Sequence, residues 1–126
     1  MKDTRTCLKI EHPKLIADIP ADDIVKNHLD VIILSMLIEE AMCGYDLIKE
    51  IVSRYNVLIS QGTVYPLLYS LKEEGTLQVE PMKSNMKTKR YSVAPDKRQT
   101  IEKKIDEFIR AEESILNSIK KGETYA

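Results

Sequence analysis

The chain is 126 residues long, with 43% hydrophobic and 31% charged residues and a formal net charge of −1. That is enough for one domain with its own core, and small enough that pairing with a second copy would add to its stability. The near-zero balance excludes a polycation that coats nucleic acid indiscriminately, although the local distribution of charge counts for more than the sum. The longest apolar run, Val31–Ile38 interrupted by Ser35, is far too short to span a bilayer. The N-terminus has no secretory core, so the expected location is the cytoplasm.

Residues 1–21 carry Pro13, Pro20 and scattered apolar positions, and read as an irregular arm without an assigned role. Asp22 or Asp23 can cap a helix running to about residue 38. Its apolar positions lie almost all round, so it must be buried on most sides, in part by a second subunit. Glu39–Cys43 reads as a turn. Leu47, Ile48, Ile51 and Val52 then share one face of a second helix that ends near Tyr55-Asn56. Val57-Leu58-Ile59 is extended, and Ser60 is placed to cap a third helix by accepting from the N–H of residue 62 or 63. That helix stops at Gly75, which suits the left-handed position after a helix end.

Leu77 and Val79, and later Tyr91 and Val93, alternate with polar residues and predict two strands joined by a polar hairpin. Pro95 ends the second strand. From Asp96 a last helix carries Ile101, Ile105, Phe108, Glu112, Ile115 and Ile119, at steps of four and three. This a/d seam has one polar member and predicts pairing with a partner chain through Ile101, Ile105, Phe108, Ile115 and Ile119. Three helices followed by a hairpin is the order of a winged helix-turn-helix. The expected fold is therefore mainly α (α+β), with a winged helix-turn-helix DNA-binding domain over residues 22–94, its wing two-stranded, and a C-terminal dimerisation helix over 95–126.

The third helix divides into faces at roughly 100° per residue. Val64, Leu67, Leu68 and Leu71 form the core side. Ser60, Gln61, Gly62, Thr63 and Tyr65 form an exposed leading edge. It has hydroxyls and an amide at a helix N-terminus, where backbone N–H groups favour phosphate. Gln61 can bond both edge positions of adenine. Residues 82–91 hold Lys83, Lys87, Lys89 and Arg90 and no acid, whereas residues 96–123 balance seven acids with seven bases. Positive charge is thus concentrated in the hairpin, as expected for a wing laid along a phosphate backbone.

The strings Cys43-Gly44-Tyr45-Asp46-Leu47-Ile48, Ser60-Gln61-Gly62-Thr63-Val64-Tyr65-Pro66-Leu67-Leu68 and Leu71-Lys72-Glu73-Glu74-Gly75 resemble the PadR-type transcriptional regulators. The strand Lys89-Arg90-Tyr91-Ser92-Val93 is similar to the family's basic-aromatic wing strand. The resemblance runs over residues 24–94, and the proline inside the third helix makes it specific, because proline is costly there. It implies a homodimer on an inverted-repeat operator in double-stranded DNA, usually as a repressor, paired through its first and last helices. By matching position it offers Tyr45, Ser60, Gln61, Thr63, Tyr65 and Arg90 as DNA contacts. Arg90 stands where the family often has the first of two aromatics. Some members bind flat ligands between tryptophans at the dimer centre. This chain has no Trp, so a stacking site is not expected and any small-molecule effector stays unnamed.

Cys7 and Cys43 are far apart without metal spacing and read as reduced thiols, a sensing role being left open. His12, His28, Met82 and Met86 form no persuasive ligand set. No nucleophile–base arrangement or phosphate-binding glycine loop is present. No enzyme, metal or cofactor is therefore expected. The alternative to DNA binding is a winged-helix module for protein–protein contact, kept open by Glu73, Glu74 and the modest charge.

Overall fold

A computed structural model describes residues 22–82 and 88–125. The N-terminal arm with Cys7, and the wing lysines Lys83 and Lys87, lie outside these residues.

The expected first helix is two: α1 (Asp22–Asn27) and α2 (Leu29–Glu39), broken at His28 with φ −118° and ψ 26°. The His28 N–H is shared between the carbonyls of Ile24 and Val25, both at 3.2 Å, so the chain bends without losing its bonding. In α2, Ile33, Leu34, Met36 and Leu37 are buried within this single chain, packed against the last helix and the sheet. Much of the burial that the all-round apolar pattern demands is thus met inside one chain, while Val31, Ile32 and Ile38 are only partly covered by it.

The segment expected as a turn contains a short strand, β1 (Met42–Cys43), before α3 (Gly44–Tyr55). Asn56 ends α3 in the left-handed region at φ 56°. Val57 and Ile59 point into the core while Leu58 faces outward. Helix α4 (Gln61–Glu73) then buries Val64, Leu68 and Leu71. Its end is a Schellman motif: Thr76 N–H reaches Leu71 O at 2.9 Å and Gly75 N–H reaches Lys72 O at 3.0 Å. That closure needs the left-handed φ of 86° at Gly75, which glycine adopts without strain.

Strands β2 (Leu77–Pro81) and β3 (Lys89–Val93) pair antiparallel with Val79 opposite Tyr91 and Glu80 opposite Arg90. β1 adds to the other edge of β3, Met42 opposite Tyr91, so the sheet has three strands in the order β1-β3-β2. The wing is therefore not a free hairpin but is stitched to the start of α3. A 3-10 turn over Pro95–Lys97 leads into α5 (Arg98–Tyr125), 28 residues long. Its first turns lie on α2, where the Arg98 guanidinium donates to the Ile38 carbonyl at 3.1 Å and Lys104 pairs with Asp30 at 3.6 Å. A cation at a helix C-terminus also answers the partial negative charge of the free carbonyls.

Candidate nucleic-acid interface

Side chains from α3, α4 and β3 meet on one side of the molecule. At the start of α3, Tyr45 is 58% exposed and the Lys49 ammonium, one turn later, lies 5.3 Å from its ring centroid. At the start of α4, Ser60, Gln61, Gly62 and Thr63 are all exposed. Ser60 occupies the cap position, but its hydroxyl does not bond a backbone N–H. It bonds instead to the Thr63 hydroxyl at 3.1 Å, while the Ser60 carbonyl accepts from Thr63 N–H. The expected side-chain cap is therefore absent, and the first N–H groups of α4 are not consumed by it. Pro66, inside the helix, has no N–H to donate to the carbonyl one turn back, that of Gly62.

Between α4 and the wing lies a cleft of about 380 Å³ lined by Tyr45, Tyr65, Thr88, Lys89 and Tyr91. A second cleft of about 330 Å³, lined by Tyr69, Lys72, Val79 and Pro81, shares Lys89 and Tyr91 with the first. Tyr91 is 8% exposed. Burial pushes its phenol above the ordinary range, the nearby Tyr65 adds to this, and the Lys72 ammonium partly opposes it.

The wing residues separate by face, because successive strand side chains point to opposite sides of a sheet. Lys89 and Tyr91 share the side of the clefts. Arg90 takes the other side, where its guanidinium pairs with Glu80 across the strands at 3.2 Å. Lys89 is thus gathered with Tyr45 and Tyr65, and Arg90 is not. Thr88 and Tyr91 belong to the gathered set although the sequence did not single them out. Strand alternation marks Tyr91 only as interior, and Thr88 carries no charge to draw notice.

The seam residues of α5 also separate. Ile101 is buried in the core of its own chain, and Ile105 and Phe108 are partly covered, the Phe108 ring lying 4.9 Å from that of His28. Ile115 and Ile119 are more than half exposed, as is Leu116, and Ile109 is 45% exposed. Among the described residues no group of three His, Cys, Asp or Glu is placed to hold a metal ion. No described helix is long and apolar enough to cross a membrane. Cys43 is free and buried.

Residues 33–103, more than half of the chain, match the Transcriptional regulator PadR-like family. The chain belongs to that family. That family is one of transcriptional regulators, and the chain's fold is of the winged helix-turn-helix kind. The Transcriptional activator GvpE1 of Halobacterium salinarum is 35% identical over 63 residues, which cover 49% of this chain and 33% of that protein. The Transcriptional activator GvpE of Haloferax mediterranei is 29% identical over 87 residues, covering 69% of this chain and 45% of that one. The chain thus spans less than half the length of the curated relatives it matches. Both are named as activators, so the expected repressor role has no counterpart in them. A PadR-like transcriptional regulator from Bacillus cereus superposes with a TM-score of 0.64 at 20% identity, covering 77% of this chain and 95% of that one. That likeness carries the PadR-like fold, including the small antiparallel wing sheet and the long last helix.

Proposed function

We propose that this PadR-like chain acts as a homodimer on an inverted-repeat operator and represses by occupying the promoter. The first turn of α4, through Ser60, Gln61 and Thr63, reads base edges in the major groove. Tyr45 and Tyr65 flank it, and Lys89 with the wing lysines Lys83 and Lys87 contacts phosphate. The observation that carries this reading is the convergence of exposed side chains from α3, α4 and β3 on one side, around Tyr45, Tyr65 and Lys89. The uncapped start of α4 adds backbone N–H groups of the kind that bind phosphate oxygens. Arg90, ion-paired with Glu80 on the opposite face, contributes less than its charge and its place in the family pattern imply.

Dimerisation is supported by the bare apolar stripe Ile109, Ile115, Leu116 and Ile119 on α5. Such a stripe is costly to leave in water, and a second copy of the same stripe would cover it. Two recognition helices held this way address half-sites about one helical turn of DNA, or a multiple of it, apart.

The test is to let the protein select its preferred duplex from a random pool and to compare affinities for selected and random DNA. At physiological salt the selected duplex is expected to bind at least about 10³-fold more tightly. Lys89→Ala should lower the salt dependence of binding by about one phosphate contact, while Arg90→Ala leaves it nearly unchanged. Equal affinity for selected and random duplex would overturn the reading. The names of the two relatives favour a second reading of sign, activation. A reporter with the selected site overlapping or upstream of the promoter separates the two.

A further inference from the structure

Gly44 opens α3 with an ordinary backbone conformation, since among the described residues the only glycine in the left-handed region is Gly75. Its backbone therefore does not require glycine. Its surroundings do. A Cβ placed on Gly44 would stand 2.5 Å from Cε1 of Tyr65, and 2.6 Å from both its Cζ and its hydroxyl oxygen. No real Cβ makes such contacts. The phenol end of Tyr65, the last residue of the exposed leading edge of α4, lies directly on the bare backbone of Gly44.

The third member is Tyr91. It sits in β3 opposite Met42, two residues before Gly44, and is almost wholly buried. Burial raises its pKa, and the neighbouring Tyr65 phenol adds to that rise. Gly44, Tyr65 and Tyr91 line the same cleft. One residue thus comes from the start of α3, one from the recognition helix and one from the wing.

We propose that Tyr65 is a positioning residue: docked on Gly44 and backed by Tyr91, its ring fixes the recognition helix relative to the wing, and Gly44 is bare to admit it. The inference rests on the reading of α4 and the wing as the DNA-contacting elements. Holding the ring in the free protein removes an ordering cost that would otherwise fall on binding. It also keeps the reading turn and the phosphate-contacting strand at one separation, so that both engage the same duplex.

The geometry states what should yield. The nearest atoms to a new methyl group are the far end of a side chain, not backbone, so Gly44→Ala should displace the Tyr65 ring and leave the fold in place. Affinity for the selected duplex should fall about tenfold, the effect of roughly one mismatched base pair, while affinity for random duplex changes little. Tyr65→Ala should cost a similar factor. The double variant Gly44→Ala/Tyr65→Ala should bind no worse than Tyr65→Ala alone, because the methyl then has nothing to displace. A double variant whose loss is the product of the single losses would overturn the proposal, as would a Gly44→Ala protein that reads DNA like the parent. If Gly44→Ala should fail to fold, recovery of folding in the double variant supports the same contact, and its absence refutes it.

The ring can be followed without DNA. Tyr65 aromatic proton signals, assigned by their loss in Tyr65→Phe, should shift in Gly44→Ala. That shift in a protein that selects no duplex would leave the packing intact and sink the DNA-reading assignment. Unmoved signals, with selective DNA binding retained by the parent, would sink the positioning role alone.

Discussion

The two halves of α5 carry the same pattern and meet different fates. Ile101, Ile105 and Phe108 lie on the stripe that continues through Ile115, Leu116 and Ile119, all within about a third of the helix circumference at 100° per residue. Of the first three, Ile101 is buried and Ile105 and Phe108 are partly covered by their own chain, the Phe108 ring lying against that of His28. The others stand in solvent in the single chain. An amphipathic repeat therefore specifies that a face must be covered but not by what. The near half of the helix completes the winged domain, and the far half is left uncovered by its own chain.

Substitutions along the stripe can break this division. The largest effect is expected at Ile101→Asp. A carboxylate there would be buried without a partner, in addition to the apolar surface lost, costing on the order of 3–5 kcal/mol. Against a typical total of about 5–15 kcal/mol, that leaves little folded protein, which thermal or urea unfolding followed by circular dichroism will read. A cooperative transition close to that of the parent would show that the near half is not part of the core.

Next in size is the pair Ile115→Asp and Ile119→Asp. Helical content should survive, because these positions touch little in the folded chain. Sedimentation should report monomers, and affinity for the selected duplex should fall about 10²-fold or more as two linked half-sites become independent. A double variant that remains dimeric would move the interface elsewhere and end the division of α5 into an inner and an outer half.

Much of this architecture was legible residue by residue. The contrast between Val64, Leu68 and Leu71 on one side of α4 and Tyr65 and Tyr69 on the other is strong because the helical period separates them cleanly. Gly75 announced the helix end through a conformation few other residues accept. The break at His28 was not legible, since neither proline nor glycine marks it and bifurcated bonding carries the chain across. A two-residue strand such as Met42–Cys43 is too short to show alternation, and only its pairing with β3 defines it. Register across the hairpin decided that Arg90 faces Glu80, and composition gives no register. Ser60 was correctly placed at the head of α4. Its hydroxyl had two competing partners, and the one chosen was the Thr63 side chain. The contact between Gly44 and Tyr65 joins residues far apart in the chain, so no local pattern could announce it.

The smallest effect should come from the charge that accompanies the buried half. Lys104 and Asp30 join α5 to α2 at 3.6 Å, but the side chains are 51% and 42% exposed. In water such a pair gains little Coulomb energy and must hold two mobile side chains in place, so its net value is about 0–1 kcal/mol. Lys104→Ala should lower the unfolding free energy by no more than that, and the difference should shrink in high salt as screening shortens the range of the interaction. Parallel urea titrations of parent and variant at low and high ionic strength will measure both quantities. A salt-sensitive loss well above 1 kcal/mol would mean that charge, rather than the burial of Ile101, decides which half of α5 belongs to its own chain.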